Sequence, residues 1–217
     1  MDIAVGPVTV SLIDACDRIV WHVVRGHAFE PDSLALWAEW CAAAGEIIDI
    51  GAYSGLFSIA AAKLGCYVTA FEPVDVIAQR LAENAAINKA KVEIIAAAAS
   101  DKTGEAPLYY NATVLTAGSS LEPRWPSTSM VATRRIDDLR FGAVAAIKID
   151  VEGHEVSVLK GAAALIARDR PRLLVETLTK SARSAVAALL PGYRETAFLD
   201  GRNMILEPRC FAEWQSR

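Results

Sequence analysis

From position 46 onward, short apolar runs alternate with segments of helical period, and this rhythm limits the possible folds more than any other feature. Glu46–Ile50, Tyr67–Phe71, Val92–Ala96, Ala145–Ile149 and Arg172–Glu176 read as buried strands. Gly55–Leu64, Val74–Asn88, Glu155–Ala167 and Ser181–Leu190 read as helices that follow them. Strands separated by helices of this length form parallel βαβ units. Their right-handed crossovers place helices on both faces of an open sheet. The chain is therefore expected to be α/β and Rossmann-like. Two closing strands, near Arg194–Leu199 and Asn203–Leu206, meet around Asp200-Gly201 and predict an antiparallel hairpin.

Residues 1–44 read as an extension packed on a core of residues 45–217, and 217 residues suit one hydrophobic core. In the extension, Val8, Val10 and Leu12 predict one short strand, and Ile19-Val20-Trp21 with Val23-Val24 predict a second. Glu30-Pro31-Asp32-Ser33 opens a helix that carries Leu34, Leu36, Trp37 and Trp40. Residues 104–133 break the rhythm with Gly, Pro, Ser and Thr around a strand at Pro107–Tyr110, an excursion of hairpin and loop.

Composition narrows the partners. A formal net charge of -4 without a basic run argues against long nucleic acid. Cys16, Cys41, Cys66 and Cys210 lie far apart, so neither a zinc site nor a disulfide framework is indicated, and buried thiols are expected. No apolar run approaches the roughly 20 residues of a membrane helix. Met1–Val10 lacks the basic start of a signal peptide, so a cytoplasmic protein without a membrane partner is expected.

The sharpest local signal is Ile47-Ile48-Asp49-Ile50-Gly51-Ala52-Tyr53-Ser54-Gly55, an apolar strand running through a glycine turn into a helix. Glycines there let a ligand approach the backbone, and Asp49 stands at the strand's carboxyl end, where open sheets bind ligands. Glu72, 23 positions beyond Asp49, ends the next strand, as does the acid that receives ribose hydroxyls in dinucleotide folds. A nicotinamide enzyme would carry Gly-x-Gly-x-x-Gly, whose middle glycine makes room for pyrophosphate. The turn here is Asp49-x-Gly51-x-x-x-Gly55, which suits the compact, cationic S-adenosylmethionine (SAM). Ser100 or Asp101, after the third strand, is placed either to meet the adenine or to form an Asx turn.

A third signal, Lys148-Ile149-Asp150-Val151-Glu152-Gly153-His154-Glu155, gathers ionisable groups where a buried strand ends. Such clusters are candidate sites. Glu155 is assigned to the following helix, whose N-terminus favours an acid. Asp150 and Glu152 are expected to face the cleft.

These stretches resemble the FkbM family of SAM-dependent methyltransferases. Its Lys-Ile-Asp-Val-Glu-Gly-x-Glu segment and following Leu-Lys-Gly correspond to Lys148–Glu155 and Leu159-Lys160-Gly161. The likeness extends to Asp49-Ile50-Gly51-Ala52 with Gly55 and Ser58, Phe71-Glu72-Pro73, Ala99-Ser100-Asp101 with Gly104, Ile136-Asp137-Asp138-Leu139, and Pro171-Arg172 with Glu176. It spans about residues 30–207. The resemblance implies a class I methyltransferase fold, with a seven-stranded, mostly parallel sheet and one antiparallel strand. It also implies O-methylation of a hydroxyl on a sugar, glycolipid or secondary metabolite. Cofactor contacts carry over to Asp49, Gly51, Gly55, Glu72 and Asp101, while Tyr53 stands where the family often has Asn. Tyr53, Ser100 and Asp150 complete the expected cofactor set.

A hydroxyl acceptor must lose a proton as it receives the methyl group, which gives a positioned base its task. Asp150 or His154 is the expected base, with Lys148 and Glu152 orienting the acceptor and Glu176 a further candidate. Asp150, Glu152 and Glu176 could instead be magnesium ligands, although no metal is expected. Tyr109, Tyr110 and Trp125 would either line the acceptor pocket or seal the sheet. A small hydroxyl-bearing acceptor leads over an RNA or protein acceptor and over a non-catalytic SAM-binding subunit. Homo-oligomerisation stays open.

Overall fold

The computed structural model describes residues 1–14, 17–43, 45–110, 119–123 and 125–209. A hairpin of β1 (Asp2–Val5) and β2 (Val8–Ser11) opens the chain, followed by α1 (Arg18–Val24) and α2 (Pro31–Cys41). Then β3 (Glu46–Ile50), α3 (Leu56–Lys63), β4 (Tyr67–Phe71), α4 (Asp75–Ile87) and β5 (Val92–Ile95) alternate as the sequence predicts. A small sheet of β6 (Ala98–Ser100), β7 (Gly104–Tyr110) and β8 (Ser127–Arg135) interrupts the alternation. It resumes with β9 (Val144–Ile149), α5 (Glu155–Gly161), α6 (Ala163–Asp169), β10 (Arg172–Glu176), α7 (Lys180–Leu189), β11 (Tyr193–Leu199) and β12 (Asn203–Pro208).

The main sheet has seven strands in the order β11-β12-β10-β9-β3-β4-β5. Strands β3, β4, β5, β9 and β10 pair in parallel, while β12 runs antiparallel to both β10 and β11. The chain leaves β3 for β4 on one side and later sets β9 on the other, so the switch point lies between β3 and β9. Open sheets of this kind bind ligands beyond the strand ends at that point. The central strands are apolar along most of their length because both faces are covered. On β3, Ile47 packs in a layer with Trp37, Phe57 and Ile59, and Ile48 in the opposite layer with Val158, Leu165 and Val186.

The extension is fastened by Asn84 of α4 and by Asn88, which caps the end of that helix. Ser11 N donates to Asn88 Oδ1 and Ile13 N to Asn84 Oδ1, each at 2.9 Å. The strand expected over Ile19–Val24 is a correction: these residues lie in α1. The Asp17 carboxylate accepts from Ile19 N at 2.7 Å and Val20 N at 3.1 Å, and this cap outweighs the weak strand preference of the β-branched run. The single helix expected over Glu155–Ala167 is also two, broken at Ala162. Asp137 accepts from Ala164 N and Leu165 N at 3.0 and 2.9 Å and so starts the second one.

Within the expected excursion, β7 and β8 pair antiparallel with Leu108 opposite Ser129. Residues 111–118 and 124 of that excursion, like Cys16 and Cys210, lie outside the described residues. Cys41 and Cys66 are free, buried thiols. No helix among the described residues is long and apolar enough to cross a membrane.

Candidate active site

A cavity opens beyond the carboxyl ends of β3, β4, β9 and β10, with about 1080 Å³ of free space including its open mouth. Arg18, Ile19, Phe29 and Glu30 of the extension close one side, and Ser119–Leu121 another. Glu30, Tyr53 and Glu152, all lining the cavity, hold left-handed backbone with φ of 41°, 51° and 54°. Non-glycine residues seldom accept that conformation, and it concentrates at functional sites.

The glycine turn serves the site through close packing. Gly51 has φ +77°, and a Cβ there would lie 1.8 Å from the Asp150 carbonyl oxygen. Only glycine lets the ends of β3 and β9 meet this closely. Asp150 N donates to Ile50 O at 2.9 Å, while Gly51 N and Ala52 N both donate to Phe71 O at 3.0 Å. Three strand ends are thereby tied into one floor. Gly55 does not line the cavity; its φ of +94° starts α3, and a Cβ would sit 2.9 Å from Leu81 Cγ of α4.

Glu72 reaches the cavity from the end of β4. One carboxylate oxygen accepts from Tyr53 N and the other from Val74 N, each at 3.0 Å. Burial pushes its pKa up to about 7 despite these two donors. Phe71, Pro73, Ala97, Ala98 and Leu108 make the wall beside it apolar. Tyr53 OH accepts from Arg18 N at 3.1 Å, joining the turn to the extension.

Asp49 lies behind the cavity and is fully buried. Its Oδ2 accepts from Ser58 Oγ at 2.6 Å, and its Oδ1 lies 3.8 Å from Lys148 Nζ. Lys148, from β9, faces the cavity and donates to Asp150 Oδ2 at 3.1 Å. Burial alone would lower the Lys148 pKa, but Asp150, Asp49 and Glu30 reverse this and hold it raised. Burial likewise works to raise Asp150, but the charge and hydrogen bond of Lys148, a hydrogen bond with Glu176 and the charge of Arg202 together outweigh it, leaving this carboxyl below its ordinary range. Beside it, Glu176 from β10 is pushed up to about 9 by burial, then by the charges of Asp150 and Glu152. Arg202 Nη1 pairs with Glu176 Oε1 at 2.8 Å and approaches Glu30 Oε1 at 3.7 Å. Asn203 Nδ2 donates to Glu30 Oε2 at 3.0 Å.

His154 lines the cavity, with both ring nitrogens engaged. Nε2 lies 2.9 Å from Ser100 Oγ and Nδ1 lies 3.0 Å from Glu122 Oε1. Ser120 Oγ donates to Glu152 O at 2.8 Å, so the 119–122 segment is pinned at two points. Ser100 and Asp101 stand behind His154, outside the cavity wall. Glu155 accepts from Gly153 N at 2.7 Å, at the start of α5.

The structure thus brings Gly51, Tyr53, Glu72, Lys148, Asp150, Glu152, His154 and Glu176 to one cavity, and leaves Asp49, Gly55, Ser100 and Asp101 in the layer behind it. Tyr109, Tyr110 and Trp125 do not line it; Leu108 is the β7 residue that does, and its neighbour Tyr109 points to the opposite face of the strand. Sequence reasoning missed Glu30 and Arg202 as site residues. Glu30 reads as the start of a helix and Arg202 as part of a turn, and no spacing links either to Asp150.

The seven-stranded sheet with one reversed strand, and the cavity at its switch point, define a class I methyltransferase fold. The FkbM methyltransferase domain matches residues 49–197, and the chain belongs to that family. An FkbM methyltransferase from Methylobacillus flagellatus is similar in structure, with TM-score 0.53 and 18% identity over 91% of this chain and 56% of its own. A Pyrococcus abyssi tRNA (uracil-54, C5)-methyltransferase, in complex with S-adenosyl-L-homocysteine, gives TM-score 0.51 and 11% identity over 95% of this chain and 43% of its own. This chain therefore spans about half the length of these two proteins. A SAM-dependent O-methyltransferase from Thermotoga maritima gives TM-score 0.53 and 14% identity over 92% of this chain and 73% of its own. No curated protein matches the sequence significantly.

Proposed function

We propose that the chain binds SAM in this cavity and transfers its methyl group to a hydroxyl of a small acceptor, such as a sugar, glycolipid or secondary metabolite. The observation that carries the reading is the pairing of two unlike halves in one cavity. An apolar wall with a buried acid at its edge fits a nucleoside, and a charged cluster fits a cationic centre and a polar acceptor. Glu72 would receive the ribose hydroxyls, Phe71, Ala97 and Ala98 would flank the adenine, and the Gly51–Tyr53 turn would hold the methionine end. Asp49 would act from behind, by fixing Lys148. Ser100 and Asp101 would support the adenine side through β6.

Bound SAM supplies an electrophilic methyl carbon on a sulfonium. The protein's part is to align the acceptor oxygen with it and to exclude water, which alone supplies much of the acceleration. Asp150 is the better base of the two expected, because it stays ionised at neutral pH while both nitrogens of His154 are engaged. Lys148 and Glu152 would orient the acceptor, and His154 would hold the 119–122 wall.

Calorimetric titration with SAM and with NAD, followed by a methyl-transfer screen over sugars, glycolipids and metabolites, tests the reading. SAM is expected to bind and NAD not to. Failure to bind SAM refutes the reading, and transfer only to RNA or protein refutes the acceptor class. SAM binding without turnover on any acceptor points to a non-catalytic subunit.

A further inference from the structure

We propose that Glu30, Asp150 and Glu176 together hold a divalent cation of the oxygen-seeking kind, magnesium or manganese, at the inner end of the cavity. Each offers one carboxylate oxygen, and these three oxygens all lie within 4.8 Å of one another. Two opposite bonds of roughly 2.0–2.4 Å to one ion span that distance. All three residues line the cavity, and an all-oxygen donor set suits magnesium or manganese better than zinc.

An acidic cluster alone would say little, but Glu176 adds a second observation. It is only 1% exposed; its Oε1 faces Arg202, and its Oε2 accepts no hydrogen bond among the described residues. A buried carboxylate oxygen without a donor is costly. In the metal-free protein Glu176 instead shares a proton with Asp150, which a cation at the shared centre would displace. The charges agree as well: Lys148 and Arg202 are paired with four carboxylates, Asp49, Asp150, Glu30 and Glu176. Once Glu176 gives up its proton, these four carboxylates exceed the two cations by two negative charges, which one divalent ion neutralises.

The ion's role rests on the methyl-transfer reading. Coordination positions facing the cavity would take the acceptor's oxygen and favour its ionised form. That relieves Asp150, a weak base for an alcohol, of sole responsibility for the proton.

The test strips the full-length protein with EDTA and titrates in manganese, following the free ion by electron paramagnetic resonance. SAM is titrated calorimetrically into the same metal-free and manganese-loaded samples. One ion per chain is expected, with affinity at least tenfold weaker in Glu176→Gln and Glu30→Gln and unchanged in Glu83→Gln, an exposed carboxylate on α4. No binding at millimolar manganese, or binding undiminished in both site variants, overturns the inference. SAM binding without manganese binding removes the ion and leaves the methyltransferase reading standing; manganese binding without SAM binding does the reverse. If one variant loses its circular dichroism spectrum, the other and the wild-type stoichiometry decide.

Discussion

Replacing Gly51 by alanine probes the contact on which the cavity floor depends. The new methyl would lie 1.8 Å from the Asp150 carbonyl oxygen and 2.8 Å from its carbonyl carbon, and real Cβ atoms essentially never come within 3.0 Å of another atom. Both obstructing atoms are backbone, so the ends of β3 and β9 must part by about 1 Å or more. A side chain at φ +77° costs about 1–2 kcal/mol, and prising apart a packed region about 1–3 kcal/mol. The expected destabilisation is therefore about 2–5 kcal/mol, a large share of the roughly 5–15 kcal/mol that holds a domain together. Asp150 moves with its backbone, and a misplacement of about 1 Å can cost about 100-fold in rate. Urea denaturation measures the first effect and single-turnover methyl transfer the second. A variant within about 0.5 kcal/mol of wild type, with unchanged turnover, would show that this contact does not set the site.

Glu72→Gln should weaken SAM binding about 10–100-fold by calorimetry, the worth of a hydrogen bond to a charged group. With its carboxyl pushed up to about 7, wild-type affinity for SAM should rise between pH 6 and 8, and a flat profile counts against ribose recognition by Glu72. Glu176, raised from 4.5 to about 9, keeps a proton in the folded state that the unfolded chain has released. Its contribution to stability is full below pH 4.5 and is lost as pH rises through about 9, by at most about 1.4 kcal/mol per pH unit. In EDTA, the denaturation midpoint of Glu176→Gln should accordingly fall less steeply than wild type between pH 5.5 and 8.5; parallel curves would contradict the raised carboxyl. Asp150→Asn should slow turnover about 10²–10⁴-fold with SAM still bound, while His154→Ala should cost less than about tenfold. The reverse ranking in initial-rate measurements would return the base assignment to His154.

The strands and helices of the main sheet were legible because each carries its own periodicity, which one face or both faces of the sheet then use. Elements decided by a distant or single contact were not. Ile19–Val24 has the composition of a strand and becomes a helix because Asp17 caps it. The Glu155–Ala167 pattern continues unbroken in sequence, yet Asp137, 27 positions before Ala164, starts a new helix inside it. Glu72 and Asp150 could be placed at the cavity because the end of a strand in an α/β sheet is a predictable place. Asp49 occupies such a place too, but strand alternation turns its side chain toward Ser58 and α3, behind the cavity.

Glu30 shows where such reading ends and what the fold adds. Its backbone is left-handed, its side chain is buried, and Asn203 and Arg202 hold it from the β11–β12 hairpin, more than 170 positions away. Neither its neighbours in sequence nor any spacing announces a site residue, because the partners that give it meaning arrive from the other end of the chain. The same hairpin also binds the start of α2, through Asp200 Oδ2 accepting from Ser33 N at 2.8 Å. Extension and hairpin are thus mutually fastened, and they deliver Glu30 and Arg202 to the strand ends. A site closed in this way is sensitive to changes in residues 1–44 that leave the main sheet intact. Asn203→Ala, for instance, would release Glu30 from its donor and should weaken manganese binding more than it weakens SAM binding, since Glu72 lies at the end of β4, across β3 and β9 from β10. Equal losses for both ligands would mean that the extension supports the cavity as a whole rather than the carboxylate cluster in particular.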